Sequence, residues 1–310
     1  MEKAEFDFLL SDRIQKIQQI AKEYDLENKG YIAFSGGKDS TVLSFLVDLA
    51  LPNNKIPRIY SNTGIDFNAI RQFVRDMATN DTRFFILNPT QNLKKMFSEI
   101  GYPFKSKYHS HLLDVYSRQG KTGCVLKYAE PKANTPHSCP KVLQFQFNQP
   151  LPFKISDKCC FRMKKEPFKR YEKESGRTIG LTGMRRAEKG LRENINCLVF
   201  SSGALHRFHP LAPCEDEFIE RMVSEFSIPL CRLYYSPFNF KRTGCRMCVY
   251  NIHLQEEIDI LTKFAPEERK AGEYIFAPVL AEYRRLGYRL RKFSEEDKKF
   301  VPKIWWEKSI

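Results

Sequence analysis

A six-residue turn, SGGKDS, separates two apolar runs near the start of the chain, YIAF and TVLSFLVDL. Gly36 and Gly37 allow tight curvature without a side-chain clash, so successive backbone N–H groups can converge on an anion. Ser35 and Ser40 add hydroxyl donors, and Lys38 adds a point charge for phosphate oxygens. The turn therefore predicts a binding site for nucleotide phosphates.

Asp39 lies in the same turn, where phosphate would repel it unless it holds Mg²⁺ or a backbone donor. The spacing of the turn is too short for the phosphate loop GxxxxGK[ST]. The alternative interpretation is a glycine-containing connection in which a serine caps the next helix.

Two close pairs stand out among the nine cysteines of the chain. Cys159 and Cys160 are adjacent, and Cys245 and Cys248 form a C-x-x-C. Four thiolates suit either zinc or an iron–sulfur cluster, and unligated core cysteines are a further alternative. Cys139 is the best remaining candidate for a sulfur-carrying thiol, with an inert buried cysteine as its alternative. The other four have apolar neighbours and are predicted to be core residues: Cys124, Cys197, Cys214 and Cys231.

The residues around the turn belong to an alternation of strand and helix patterns. Three predicted strands, YIAFS, PRIYSNTG and RFFILNP, are each followed by a helical pattern, and an amphipathic helix over 5–24 precedes them. Further strands are predicted at 178–183 and 196–202, with a helix over 215–226. This order predicts an α/β fold whose parallel sheet has helices on both faces and binds ligands at the carboxyl ends of its strands.

The chain carries 51 Lys and Arg against 37 Asp and Glu, a net charge of +14. This excess favours an anionic partner such as nucleic acid; the alternative is a solvated basic surface that helps to bind only nucleotide phosphates. The N-terminal residues do not have the pattern of a signal peptide, and no apolar segment approaches the roughly 20 residues that span a bilayer. We therefore expect a cytoplasmic protein with no membrane partner.

The turn SGGKDS resembles the phosphate loop of the ATP-pyrophosphatase (PP-loop) superfamily. Enzymes of this superfamily cleave ATP between the α and β phosphates, giving AMP and pyrophosphate. The resemblance implies a Rossmann-like adenine nucleotide alpha hydrolase fold with ATP and Mg²⁺ as cofactors. It also implies that all six residues of the turn contact the nucleotide: Ser35, Gly36, Gly37, Lys38, Asp39 and Ser40.

Two further segments resemble the phosphoadenosine phosphosulfate (PAPS) reductase branch of that superfamily. SNTGIDF (61–67) is similar to its nucleotide-contacting segment, which implies nucleotide contacts for Thr63 and Gly64. TGMRRAEKGLR is similar to its TGxRxxES-xx-R segment and implies catalytic roles for Arg185 and Arg192 beside Lys38 and Asp39. We therefore expect a PAPS reductase-like domain over 1–250, with an insertion or lid at 102–157, and a helical C-terminal region over 251–310.

The two cysteine pairs resemble the 4Fe–4S site of bacterial adenylyl-sulfate reductases and of the ATP-pyrophosphatase subunit of DNA phosphorothioation systems. The resemblance implies that Cys159, Cys160, Cys245 and Cys248 hold a 4Fe–4S cluster, with zinc as the alternative. Reductases of this branch usually have a degraded phosphate loop and a nucleophilic cysteine near the C-terminus. In this chain the loop is intact and the last cysteine is Cys248.

Together these features predict adenylation of an acceptor by ATP, followed by displacement of AMP by a sulfur donor such as a cysteine desulfurase. The predicted acceptor is nucleic acid, either DNA or RNA. Two alternatives stay open at this point. The first is a phosphoadenylyl- or adenylyl-sulfate reductase, and the second is a nucleotide-sensing module that binds nucleic acid without turnover.

Overall fold

The computed structural model describes residues 1–131, 138–149 and 151–306. The chain forms two compact units, each assembled from two separate segments. The first unit comprises residues 1–88 and 166–244, and the second comprises 89–165 and 245–310. The second unit thus joins the whole of the predicted insertion to the predicted helical C-terminal region. The division of the chain at residue 250 stays a prediction.

The first unit contains a six-stranded sheet. In chain order its strands are β1 Gly30–Ala33, β2 Arg58–Ser61, β3 Phe84–Leu87, β4 Ile179–Leu181, β5 Leu198–Ser201 and β6 Ala204–Phe208. Their spatial order is β3-β2-β1-β4-β6-β5. The five strands from β3 to β6 in this order pair in parallel with their neighbours, as the alternation of strand and helix predicts.

The edge of the sheet differs from the expected all-parallel arrangement. Strand β6 is not predicted from the sequence, and β5 pairs with it in antiparallel orientation. The two strands are separated only by Ser202 and Gly203, both with positive φ, so the chain reverses within a tight hairpin. A hairpin needs no crossover helix, which is why the helical alternation stops here.

The α-helices surround this sheet or build the second unit. Those of the first unit are α1 Lys3–Tyr24, α2 Leu26–Lys29, α3 Lys38–Ala50, α4 Asn68–Asn80, α8 Glu166–Ser175 and α9 Asp216–Glu225. Those of the second unit are α5 Leu93–Ile100, α6 Lys107–Gln119, α7 Gly123–Ala129, α10 Leu254–Phe264, α11 Pro266–Leu286 and α12 Lys303–Trp306. A π-helix, Phe161–Lys165, also lies in the second unit, and short 3₁₀ turns occur in both.

The core of the first unit fixes α3 behind the phosphate-binding turn. One continuous apolar cluster joins α1, α3 and α9 to the sheet, through residues that include Phe6, Ile32, Val42, Leu46, Leu181, Phe208 and Phe218. Five of the thirteen residues of α3 are apolar and buried in this cluster, so the helix cannot shift without exposing them. The first turn of α3 is therefore held rigidly at the end of β1.

The second unit is more regular than the irregular insertion expected over 102–157. Two helices, α6 and α7, and a 3₁₀ turn, Lys141–Phe147, lie within that range. They pack through aromatic side chains; the ring of Phe104 contacts that of Tyr283, at 4.8 Å between centroids. Apolar periodicity does not reveal α6, because this helix buries His109, Ser110 and Asp114 beside its two leucines.

His109 on α6 is buried in the second unit between Tyr128 and Gln146. Its Nδ1 lies 2.9 Å from the Tyr128 hydroxyl and its Nε2 lies 2.8 Å from Gln146 Oε1. Burial lowers the pKa of His109 to about 3. The unfolded chain therefore binds a proton below pH 6.5 that the folded chain does not, so stability falls as the pH falls from 6.5.

We expect the unfolding free energy to drop by about 2 kcal/mol between pH 7 and pH 5 through this residue alone. Urea denaturation at both pH values measures the drop. His109→Gln should remove most of it, whereas His253→Gln, at an exposed position, should leave it unchanged. If the unfolding free energy of His109→Gln kept the same pH dependence, the His109 ring would not be buried in its neutral form.

Candidate functional site

Three loops of the first unit meet at one edge of the sheet. Strand β1 pairs in parallel with β2 on one side and with β4 on the other. The loops that follow these strands therefore leave the sheet at the same edge, which is the usual ligand crevice of such folds. They contain, respectively, the SGGKDS turn, Thr63 with Gly64, and the TGMRR segment.

The SGGKDS turn is closed by its two serines. The backbone N–H of Ser35 donates to Ser40 Oγ at 3.1 Å, and the two hydroxyls are 3.0 Å apart. Ser40 Oγ in turn donates to the carbonyl of Gly37 at 2.9 Å. This arrangement holds the backbone between β1 and α3 in a narrow loop, with Gly37 as the residue before the first helical position.

Two glycines of the site are required by close contacts. Gly36 has a φ of +70°, and a Cβ there would lie 3.0 Å from Ile70 on α4. A Cβ on Gly183, in the loop after β4, would lie 2.8 Å from the carbonyl oxygen of Asp39. The loop after β4 thus packs directly on the first turn of α3.

Lys38 has a backbone and a side-chain partner in the first unit. Its backbone N–H donates to the hydroxyl of Tyr234 at 2.9 Å, and that hydroxyl lies 2.9 Å from Thr243 Oγ1. Its Nζ lies 3.8 Å from Glu220 of α9. The Tyr234 hydroxyl therefore sits where a helix N-terminus presents its N–H groups to an anion.

Asp39 and Arg185 form the central ion pair of the site. Arg185 Nε donates to Asp39 Oδ1 at 2.9 Å, and Arg185 Nη2 donates to Asp216 at 2.6 Å. Burial would lower the pKa of Arg185, but the two carboxylates keep it above its ordinary value. Burial raises the pKa of Asp39, and Arg185 opposes that effect. Arg185 therefore stays charged beside the phosphate-binding turn.

Arg192 is joined to this network through Glu188. Glu188 forms ion pairs with Arg192 and with Arg242, the latter at 2.7 Å. It also accepts a hydrogen bond from the backbone N–H of Arg185 at 3.2 Å. The Arg192 side chain is about half exposed and follows a 3₁₀ turn, so it is less firmly placed than Arg185.

Thr63 and Gly64 lie in a tight turn after β2. The carboxylate of Asp66 accepts from the Thr63 backbone N–H at 2.8 Å and from the Tyr60 hydroxyl at 2.7 Å. Gly64 has a φ of +77°, and its N–H donates to Asn62 Oδ1 at 3.0 Å. The shape of the turn is thus set by hydrogen bonds among neighbouring residues of the SNTGIDF segment.

All four paired cysteines belong to the second unit. The Sγ atoms of Cys159 and Cys160 are 3.9 Å apart. Interaction with Cys160, followed by burial and by Cys248 and Cys245, raises the pKa of Cys159. Interaction with Cys159 lowers the pKa of Cys160, and so do three lysines: Lys107, Lys164 and Lys165. The four thiols therefore lie within electrostatic range of one another.

The C-x-x-C forms a tight turn that a buried glutamate supports. The Cys248 N–H donates to the Cys245 carbonyl at 3.2 Å, and Met247 between them has a φ of +49°. Glu257 accepts from the Met247 N–H at 2.6 Å and from Asn251 at 2.8 Å. This support orients the turn independently of any metal.

In the part of the chain that the structure describes, no three His, Cys, Asp or Glu side chains converge closely enough to hold a metal ion as placed. Four thiols in one unit are the type of donor set that a sulfur-ligated centre uses. Burial raises the pKa of Cys248 to about 12, so coordination would have to displace its proton. Buried thiols of this kind become thiolates on coordination to a metal.

The remaining cysteines are placed separately. Cys139 is buried, and burial raises its pKa to about 11, with Lys105 opposing the effect. Cys214 and Cys231 are buried as predicted, whereas Cys197 is only partly buried. The prediction that Cys124 is a core residue is wrong: it is exposed near the start of α7, whose buried residues are Val125, Tyr128 and Ala129.

Residues 121–251 match the family model for the phosphoadenosine phosphosulfate reductase domain. This segment, which is less than half of the chain, is similar to that domain. The matched segment includes the loop after β4 and both cysteine pairs, and it begins after the SGGKDS turn.

A stretch of 92 residues is 34% identical to adenosine 5'-phosphosulfate reductase of Deinococcus radiodurans. It covers 30% of this chain and 35% of that protein, so the chain spans about a third of this curated relative.

Solved structures of similar fold include a PAPS reductase from Candida auris in complex with phosphate, at 17% identity and a TM-score of 0.45. This similarity covers 79% of this chain and 96% of that one. Another is the U34-tRNA thiolase NcsA from Methanococcus maripaludis with its [4Fe–4S] cluster, at 12% identity and a TM-score of 0.39. It covers 93% of this chain and 83% of that one.

Three residues of the site are not predicted from the sequence. Tyr234 and Thr243 contact the phosphate-binding turn from a segment about 200 residues away, and no motif marks them. Asp216 is visible in the sequence only as an acid in the first turn of α9, where a favourable interaction with the helix dipole is a sufficient explanation. Only its hydrogen bond with Arg185 identifies Asp216 as part of the site.

Proposed function

We propose that this protein is an ATP-pyrophosphatase of the PAPS reductase family that adenylates an acceptor oxygen for sulfur incorporation. The observation that carries the proposal is the intact SGGKDS turn, with Lys38 at the N-terminus of α3 and Arg185 held against Asp39. These groups offer backbone N–H donors and fixed positive charge where the phosphates of ATP would lie.

In the proposed reaction an acceptor oxygen attacks the α-phosphorus of ATP. The bond from this phosphorus to the α,β-bridging oxygen breaks, and pyrophosphate leaves with the electron pair. Lys38, Ser35 and Ser40 would stabilise the charge of the leaving pyrophosphate. Asp39, the carboxylate of the turn, would hold Mg²⁺, which would offset phosphate charge. The terminal sulfur of a persulfide on a donor such as a cysteine desulfurase would then displace AMP, and a thiol reductant would cleave the resulting disulfide to release the donor.

Arg185 and Arg192 have different roles in this proposal. Arg185 is buried and locked between two carboxylates, so it would orient Asp39 and counter the charge at the α-phosphate. Arg192 is exposed and bound to Glu188, which leaves it able to turn toward a larger acceptor. Thr63 and Gly64, at the end of the neighbouring β2, would contact the nucleoside part of ATP.

Cys159, Cys160, Cys245 and Cys248 would hold a 4Fe–4S cluster, which supplies either a site for sulfur or an electrostatic and structural support. The co-location of both pairs in the second unit supports this assignment. Zinc is the alternative, and one distance favours it. The Sγ atoms of Cys159 and Cys160 are 3.9 Å apart, and two sulfurs bound to one tetrahedral zinc are about 3.8 Å apart.

The proposed acceptor is nucleic acid, DNA or RNA. The net charge of +14 supports a polyanionic partner, because an excess of Lys and Arg attracts phosphate backbones over a long range.

The products of ATP turnover test the proposal. With Mg²⁺ and an acceptor nucleic acid, chromatography should show AMP and pyrophosphate in equal amounts. ADP and phosphate as the main products would contradict the assignment. Mass spectrometry of the nucleic acid after the reaction, with and without the sulfur donor, should show added sulfur only with the donor.

A second candidate is a phosphoadenylyl- or adenylyl-sulfate reductase, which the 34% identity to an adenosine 5'-phosphosulfate reductase favours. It requires sulfite release from adenylyl sulfate or its 3′-phosphate when a reducing thiol protein such as thioredoxin is supplied. Sulfite release without ATP cleavage would make it the better assignment. Nucleotide binding with neither reaction would favour a sensing module.

A further inference from the structure

The positive charge of the chain is concentrated in one segment of the second unit. Residues 89–165 carry 14 Lys and Arg but only 4 Asp and Glu. This local excess of 10 is most of the net charge of +14, although the segment is only 77 residues long. A polyanion attracted by the whole chain would therefore be directed mainly to this segment.

Within that segment α6 runs beside the residues that lead to the adjacent cysteines. His111 Nδ1 lies 3.8 Å from Asp157, and Asp114 lies 3.7 Å from Lys158 Nζ. One turn before His111 on the same face of α6 is Lys107, whose charge acts on Cys160. His111 and Asp114 of α6 therefore lie beside the residues that precede the adjacent cysteines, and Lys107 lies within electrostatic range of Cys160.

Two exposed aromatic rings lie among these lysines. Phe161, the first residue of the π-helix, is 41% exposed, and Lys164 and Lys165 are exposed in the same π-helix. Tyr108 follows Lys107 and is 54% exposed. The Tyr108 ring packs edge-on against Tyr128 at 5.2 Å between centroids, which fixes its orientation while leaving part of the ring open to solvent.

Lysines interleaved with exposed aromatic rings are suited to single-stranded nucleic acid. The lysines neutralise phosphates, and the rings stack on bases of any identity. A base must be unpaired to reach such a ring, because the bases of a duplex are stacked on one another. The combination therefore favours an unpaired strand or a loop over a regular duplex.

We propose that Lys107, Tyr108, Phe161, Lys164 and Lys165 form a binding surface for a single-stranded segment of nucleic acid, next to the adjacent cysteines. Phosphates lie at the three lysines, and at least one base stacks on an aromatic ring. The inference specifies the nucleic-acid partner of the proposed function and rests on it for its purpose. The test measures binding alone, without ATP, so that the inference and the proposed function can fail separately.

Fluorescence anisotropy with a labelled 12-nucleotide single strand, at several salt concentrations, measures the affinity. Lys164→Ala combined with Lys165→Ala should weaken binding about tenfold or more and reduce the slope of log K against log salt by about 1.4. The matched control removes another adjacent exposed pair of the same unit, Lys298→Ala with Lys299→Ala, and should change neither value comparably.

Loss of the aromatic ring at Phe161 tests base stacking separately from charge. Phe161→Ala should weaken binding by about 5- to 100-fold with no change in the salt slope. Phe161→Leu keeps an apolar side chain without a flat ring and should weaken binding similarly while preserving the thermal midpoint. Phe264→Ala, at a ring of the same unit that is 39% exposed, is the matched control and should bind normally.

Two results would overturn the inference. One is an equal loss of affinity in the variants of the proposed surface and in the control variants, which would indicate a diffuse charge effect. The other is binding of a duplex as tightly as the single strand with Phe161→Ala and Phe161→Leu unaffected. Strand binding that depends on this surface supports the inference even if ATP is not cleaved to AMP and pyrophosphate.

Discussion

Replacing Lys38 with alanine is expected to lower the rate of ATP cleavage by about 10²- to 10³-fold, the usual effect of removing one group that stabilises developing charge. The Lys38 ammonium is the only positive charge within the SGGKDS sequence itself. The fold should be unaffected, because the recorded ion pair of this side chain is a 3.8 Å contact with the exposed Glu220. The rate of pyrophosphate release and the thermal midpoint measure the two effects.

Lys55→Ala provides the control for this variant. Lys55 is an exposed lysine of the same unit, and it precedes β2, whereas the site follows the carboxyl ends of the strands. Its replacement should leave ATP cleavage unchanged. Normal cleavage by Lys38→Ala would contradict the assignment of the SGGKDS turn as the pyrophosphate site, whatever the products.

Replacing Cys160 with serine is expected to abolish most of the iron and acid-labile sulfide of protein purified without oxygen. A cluster that loses one of four thiolate ligands keeps too few bonds to the chain, and the same loss is expected at Cys159, Cys245 and Cys248. Iron and sulfide analysis and the visible absorption spectrum measure cluster content independently of activity.

Two cysteines supply controls for that experiment. Cys124→Ser replaces an exposed thiol of the same unit, and Cys197→Ser replaces a partly buried thiol of the first unit. Both variants should keep the full iron content. A colourless protein with one equivalent of zinc would identify the same four ligands as a zinc site and overturn the cluster, while leaving the chemistry proposed for the SGGKDS turn untouched.

None of the helices in the described part of the chain combines the length and the apolar character that a bilayer span requires.

The sequence alone determines the parts of the site that are local. The SGGKDS turn and the turn at Thr63 and Gly64 are each defined by hydrogen bonds among residues at most six positions apart, such as Ser35 with Ser40 and Thr63 with Asp66. Their glycines, serines and acids specify backbone shape directly. The strands and helices next to them have regular periodicity, so their order and the α/β fold follow from the same short-range information.

The helices at 107–129 and the hairpin of β5 and β6 lie beyond this short-range information. Helix α6 buries polar side chains beside its leucines, and the hairpin inserts a strand in a position where alternation predicts a helix. In both cases the packing partner, which is distant in sequence, compensates for a weak local preference.

Only the tertiary structure decides which distant groups meet. Arg185 reaches Asp39 across 146 positions because β4 lies beside β1 in the sheet, an order that periodicity does not encode. Tyr234 reaches the N–H of Lys38 across 196 positions for the same kind of reason. The cysteine pairs likewise share a unit because two separate segments fold together. Such contacts depend on the packing of whole elements, whose energy is a sum over many distant side chains and cannot be read from any one segment.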